Sequence, residues 1–181
     1  MSTLTCFISK FLETDNIDNL AKSNPILKPF YLGCYPANVK PKDIKDRCCW
    51  VWNVDEDDKS GTHWICVVKN DNNIIFLDSF GKSPRFFKRE YWIKYFHSLK
   101  GTYTLHTQLQ RQSYISRTCG VWCLVFLHTY YNNEQGVFET FSVDINKLLD
   151  NERKLQTIAY AQCVFLCTVC ILIQVKFVKH I

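Results

Sequence analysis

An α+β fold is predicted for this chain, with a small mixed β-sheet packed against helices, and three features predict it. Residues 48–80 hold short β-branched and aromatic runs separated by polar turns, the pattern of neighbouring strands. Residues 121–131 (VWCLVFLHTYY) are apolar almost throughout, as expected of a helix buried against such a sheet. Aromatic residues make up 15% of the chain, a share that suits a β-rich interior or a cleft lined with rings. At 181 residues, 47% hydrophobic and 22% charged, the chain can build one domain with a real core, and its composition excludes wholesale disorder.

Residues 1–24 read as an amphipathic helix, because Phe7, Ile8, Phe11 and Leu12 fall at helical spacing. Pro25, Pro29, Pro36 and Pro41 then punctuate a stretch expected to be loop-rich. Cys48–Val54 (CCWVWNV) reads as a buried strand, and Asp55–Asp58 with Ser60-Gly61 as an acidic turn. Thr62–Val68 and Ile74–Phe80 flank a polar KNDNN turn and predict a β-hairpin. Residues 84–99 predict a basic, aromatic helix, and residues 102–108 alternate like a strand. Gly120 opens the apolar helix, which runs from Val121 to about Tyr131, and a further helix is expected near Asp144. Between Lys154 and Lys176 lie 21 uncharged residues, which is long enough for a membrane span. Gln156, Thr157, Gln162, Thr168 and Gln174 interrupt it, so it reads as a buried helix or a poorly packed extension instead. The expected organisation is one domain over residues 1–155 and an apolar extension over 156–181.

The net charge of +5 is concentrated in Lys82, Arg85, Lys88, Arg89, Lys94 and Lys100, opposed only by Glu90. Such a segment serves either as a solvated helical face or as a contact for a polyanion. The N-terminal residues lack a basic region followed by a long apolar run, so the ten cysteines are expected to be reduced, in a reducing intracellular compartment. Cys163, Cys167 and Cys170 spell C-x3-C-x2-C within an uncharged apolar run, and no C-x2-C pair is matched by a second. Neither an iron–sulfur cluster nor a zinc site is expected from these patterns.

Chemistry concentrates at four positions. A hairpin centred on Asn70-Asp71 pairs residues whose numbers sum to 141, which sets His63 opposite Asp78, Ile65 opposite Phe76 and Val67 opposite Ile74. Directly opposed Cβ atoms lie about 4.5–5.5 Å apart, so an imidazole and a carboxylate meet, provided the register holds. The carboxylate then orients the ring and stabilises its cation, although a strand His beside an Asp also serves as a purely structural hydrogen bond. Cys119 stands where the apolar helix begins, near the positive end of its dipole, a setting that favours a nucleophilic thiolate. Gly120, next to it, lets a substrate backbone approach closely. Gln112 stands seven residues earlier and can donate to a developing oxyanion, with the Cys119 N–H as second donor. Other histidines serve less well as a base. His128 lies about 13 Å along the helix from Cys119, His97 and His106 lack a neighbouring carboxylate, and His180 sits in the tail.

The order His63-Trp64, Asp78, Gln112, Cys119-Gly120 resembles the adenain-like cysteine proteases, the adenovirus protease family, and is closest in pattern to those of Maverick/Polinton elements and their viral relatives. The stretches YLGCYPANVKP, WNVDEDDKSGTHW, FLDSFG and QSYISRTCGVWCLVFL carry the resemblance, which spans roughly residues 30–150. It implies a papain-like site in permuted order, His before Cys. His63 would be the general base, Asp78 its orienter (where adenain has Glu), Gln112 the builder of the oxyanion hole and Cys119 the nucleophile, with Trp64 shielding the site. It also implies cleavage of capsid or core precursors near glycines through a thioester acyl-enzyme, virion maturation, and residence in the host nucleus and the virion. Stimulation by DNA through Lys82, Arg85, Lys88, Arg89 and Lys94 belongs to the same implication. A monomer without a metal cofactor is expected. An activating peptide would bind non-covalently, because no cysteine stands between Cys66 and Cys119 to tether one. Three alternatives remain: a deubiquitinase- or SUMO-protease-like enzyme, an acyltransferase with the same triad, and a non-catalytic binding module.

Overall fold

Strict alternation along the central strands divides the apolar residues between two faces, and helices cover both. In the computed structural model of the chain, which describes residues 12–99, 102–105, 109–133 and 136–159, the elements run α1 (Thr14–Ser23), β1 (Tyr31–Tyr35), β2 (Arg47–Asn53), β3 (Trp64–Asn70), β4 (Asn73–Leu77), α2 (Glu90–Ser98), β5 (Thr102–Leu105), α3 (Cys119–Tyr131) and α4 (Gly136–Glu139). A 3-10 turn at Ile145–Lys147 then leads into α5, residues 148–159. The strands form one five-stranded sheet in sequence order. β1 runs parallel to β2, β2–β3–β4 are antiparallel, and β5 runs parallel to β4. The sheet is therefore mixed and the fold α+β, as the sequence predicts.

On one face Cys48, Trp50 and Trp52 of β2, Ile65 and Val67 of β3, and Ile74 and Phe76 of β4 meet Trp92, Tyr95 and Phe96 of α2. Trp52 stacks on Trp92 with ring centroids 5.0 Å apart, and the Trp92 indole N–H donates to the Ala37 carbonyl at 2.9 Å. Phe76 and Phe96 are fully buried here, a burial that contributes about 1.5–3 kcal/mol each. On the other face Cys49, Val51, Cys66, Val68 and Leu77 meet Ile17 and Ala21 of α1 and the length of α3. α3 is buried almost all round because α1 and α5 cover the side that the sheet leaves open.

Several expectations change. The proline-rich stretch contains β1, flanked by Pro29 and Pro36 and lying at the sheet edge, where proline interrupts no ladder. α1 begins at Thr14, after the Asn16 side chain accepts from the Glu13 N–H at 3.1 Å, while Phe7, Ile8 and Phe11 lie outside the described residues. α2 begins at Glu90 and not at residue 84, because residues 84–88 form turns and Lys88 takes φ +54°, which no right-handed helix accommodates. The strand expected over 102–108 is described over Thr102–Leu105, and residues 106–108 lie outside the described set. The boundary expected at 155/156 falls inside α5, whose Leu155 and Ala159 are buried in the α1–α3 layer, and residues 160–181 lie outside the described set. No helix among the described residues is long and apolar enough to cross a membrane.

Candidate active site

The hairpin register is the first determinant of the site, and it differs from the expectation by two residues. β3 and β4 pair Cys66 with Leu77, Val67 with Phe76 and Lys69 with Ile74, so the turn centres on Asp71-Asn72. Asp71 takes φ +52°, tolerable for an Asp in a tight turn. A shift of two preserves every side chain's face, whereas a shift of one reverses it. His63 and Asp78, just outside the paired strands, therefore become diagonal neighbours on the same face and still meet. The backbone ladder fixes His63, whose carbonyl accepts from the Val54 N–H at 2.9 Å.

His63 Nε2 donates to Asp78 Oδ1 at 2.5 Å, and both groups are buried, at 7% and 1% exposure. The same oxygen accepts from the Phe80 N–H at 3.2 Å, and Oδ2 accepts from the Lys82 N–H at 2.8 Å. Asp78 is thus locked by the turn that follows β4. The sharpness of that turn requires Gly81, at φ +71°, where a Cβ would come within 2.7 Å of the Leu109 backbone. Cys119, 3% exposed, opens α3 and lines the same cleft as the imidazole. Burial disfavours the imidazolium, yet the Asp78 hydrogen bond and the neighbouring Cys119 thiol raise the His63 pKa from 6.5 to about 9. The Phe80 ring lies against His63 with centroids 4.6 Å apart, and Phe87 lies at 6.2 Å.

Gln112 is fully buried at the same cleft, whose walls are Gly61, Thr62, His63, Phe80, Gln112, Ser116, Arg117 and Cys119. Its Oε1 accepts from Ser79 Oγ at 2.5 Å, and its Nε2 donates to the Ser116 carbonyl at 3.1 Å. A carbonyl oxygen only accepts, so this pair fixes which end of the amide is nitrogen, and Nε2 keeps a second hydrogen. The Arg111 and Gln112 N–H groups both donate to the Ser79 carbonyl, at 2.9 and 3.0 Å, which binds the 109–112 loop to the turn that holds Asp78.

The structure brings together His63, Asp78, Gln112 and Cys119, and separates the other candidates from them. Trp64 is not on the cleft wall. It packs in the apolar layer with Val121, and its indole N–H donates to the Leu12 carbonyl at 2.9 Å. The ring against His63 is instead Phe80. Gly120 does not face the cleft either: a Cβ there would meet Ile17 Cδ1 and Leu12 Cβ at 3.1 Å, so this glycine permits α1 to pack on α3. Arg89 turns inward, donating to the Val54 carbonyl from Nε at 3.1 Å and Nη2 at 2.9 Å and to Glu56 Oε1 from Nη1 at 3.2 Å. It holds the acidic turn and is not an outward cation. Arg85, Lys88 and Lys94 are exposed, and Lys82 reaches over the Phe86 ring at 5.0 Å. Ser79 was legible only as part of FLDSFG, and nothing in that motif separates an orienting serine from a turn serine.

Six cysteines are described, all free. Burial pushes the Cys34, Cys48, Cys49 and Cys123 thiols above the ordinary range, which keeps them protonated and unreactive. No cluster among the described residues could hold a metal ion.

No protein-family model matches the chain. The ASFV pS273R protease, a solved structure, aligns over 66% of this chain and 46% of its own length, with 19% identity and a TM-score of 0.36. A curated protein described as a protease, from Bovine adenovirus 2, is 27% identical over 117 residues, 59% of this chain and 57% of that protein. The chain thus spans little more than half the length of this relative. The resemblance that the His63–Asp78–Gln112–Cys119 order carries is borne out at the level of sequence: the chain is similar to an adenovirus protease.

Proposed function

We propose that the chain is a cysteine endopeptidase that cleaves viral precursor proteins near glycine residues. The observation that carries this reading is the buried Asp78–His63 pair on one cleft with Cys119, the thiol at the first residue of α3. The Cys119 sulfur attacks the scissile carbonyl carbon as thiolate while His63 holds the proton. The oxyanion is met by the spare Gln112 Nε2–H and the Cys119 N–H. Imidazolium then gives its proton to the departing amine, leaving a thioester on Cys119. Water, deprotonated by His63, hydrolyses the thioester and regenerates the thiol. Cleavage of capsid or core precursors in the host nucleus and the virion is the setting that the resemblance supports. The chain needs no metal in this scheme. A peptide that stimulates it would add a strand to β1 or β5, the two sheet edges, without a disulfide. The test is to incubate the pure protein with candidate precursors and sequence the new termini. Cuts next to glycines support the reading. Cleavage confined to ubiquitin-type diglycine fusions, or acyl transfer without hydrolysis, would replace it.

Gln112→Ala is expected to lower kcat by about 10²–10³ and to change KM little, because its donor acts mainly on charge that develops in the transition state. Gln110 is the control: its Nε2 donates to the Gln112 carbonyl at 2.7 Å, and it is not part of the cleft wall. Gln110→Ala should therefore remain the more active of the two.

DNA stimulation, if it operates, rests on Lys82, Arg85, Lys88 and Lys94, since Arg89 is engaged. Each phosphate neutralised contributes about −0.9 to the slope of log K against log salt, so a slope no steeper than about −4 is expected. A titration at two salt concentrations checks this, and binding that ignores salt would exclude it.

A further inference from the structure

We propose that Glu152 is a positioning residue that sets the spacing between Gln112 and Cys119, a role that rests on the protease reading above. Glu152 lies on α5, outside every motif of the resemblance, and is 7% exposed. Its Oε2 accepts from the Thr118 hydroxyl at 2.5 Å and its Oε1 from the Ser113 N–H at 3.2 Å. Ser113 follows Gln112 and Thr118 precedes Cys119, so one carboxylate ties both ends of the segment that separates the oxyanion donor from the nucleophile. The Thr118 proton is spent on Glu152, so in the contact between Ser116 Oγ and Thr118 Oγ1 at 2.7 Å the Ser116 hydroxyl is the donor. Ser116 in turn offers its carbonyl to Gln112 Nε2 at 3.1 Å. A continuous path of hydrogen bonds therefore runs from Glu152 through Thr118 and Ser116 to the Gln112 amide. Asn151, the preceding residue, adds a bond from Nδ2 to the Arg111 carbonyl at 2.8 Å.

A buried carboxylate is costly to desolvate, and an apolar residue would fill the same space more cheaply. Both of the donors that Glu152 engages belong to the 113–118 segment, which points to geometry and not to core filling. The donors of an oxyanion hole must converge on one atom, and a misplacement of about 1 Å costs on the order of 10² in rate. Simple alkylation of a thiol develops no oxyanion and does not need that convergence.

The experiment compares wild type with Glu152→Ala, Glu152→Gln, Thr118→Val and the Glu152→Ala/Thr118→Val double variant. Arg153→Ala serves as a control on the same helix, where the Arg153 guanidinium pairs with exposed Asp150. Peptide kcat and KM, the rate of Cys119 alkylation by iodoacetamide, and the thermal midpoint are measured for each. Glu152→Ala is expected to lose about 10–100-fold in kcat, while KM and the alkylation rate stay within about threefold of wild type. Glu152→Gln should fall between, because its single carbonyl oxygen replaces two acceptors. The double variant should be no slower than the worse single one, since both break one path. Arg153→Ala should match wild type. Equal kcat for folded Glu152→Ala and wild type, or a parallel loss of alkylation and kcat, would overturn the positioning role and leave the protease reading intact. If Glu152→Ala does not fold, Glu152→Gln and Thr118→Val carry the same comparison. A wild type that hydrolyses no peptide, and whose Cys119 is alkylated no faster than its other thiols, would overturn the protease reading and the positioning role with it.

Discussion

Cys119→Ala is expected to abolish peptide hydrolysis, with a loss of about 10⁴–10⁶ in kcat, while the fold survives. Alanine is the best helix former and needs less room than the thiol, so the first turn of α3 can keep its Trp122 N–H to Thr118 carbonyl bond, 2.9 Å long. The variant also removes the thiol beside His63, one of the influences that raise its pKa. The His63 pKa, raised to about 9 against the opposing effect of burial, should fall as a result. Turnover of a defined peptide, circular dichroism and NMR titration of the imidazole check the three parts. Retained cleavage by the pure variant would remove Cys119 from the reaction.

Asp78→Asn carries the second largest effect, a loss of about 10⁴ in kcat by comparison with the orienting aspartate of a Ser-His-Asp triad. The direction of its pH effect follows from the same contacts. Burial lowers the His63 pKa, and the Asp78 hydrogen bond is the largest of the influences that raise it, from 6.5 to about 9. The imidazolium of the wild type therefore persists to about pH 9, and activity should decline above that value. Without the carboxylate the alkaline limb should move to lower pH. The stability effect has the sign of a raised histidine: the contribution is fully present below pH 6.5 and is lost as pH rises through about 9. Asp78→Asn should therefore lower the thermal midpoint more at pH 6 than at pH 10. A pH–rate profile and two unfolding curves suffice, and an unmoved alkaline limb would detach Asp78 from His63.

Which residues meet at the site was readable wherever local chemistry is dense. His63-Trp64, Asp78 within FLDSFG, and Cys119 at the start of an uninterrupted apolar run each carry a local signal. The hairpin argument reached the right face with the wrong register, because period-2 alternation encodes parity and not absolute pairing. Trp64 and Gly120 were misread for one reason. Sequence adjacency to a reactive residue says nothing about direction, and successive residues on a strand or a helix point to different sides. Trp64 faces the layer below, and Gly120 faces α1.

The sequence by itself determined the strand and helix inventory around the site, the α+β class and the His-to-Cys order, because hydrophobic periodicity and residue chemistry are local properties of the chain. Only the tertiary structure decided which loops bind to which. The Asp78 turn meets the 109–112 loop through the Ser79 carbonyl, and α5 reaches the 113–118 segment from 34 positions away along the chain through Glu152. These contacts join residues distant in sequence through single hydrogen bonds to backbone and hydroxyl groups. A Ser, Thr or Glu in a polar stretch looks the same whether it faces water or holds a buried loop, and only burial tells the two apart.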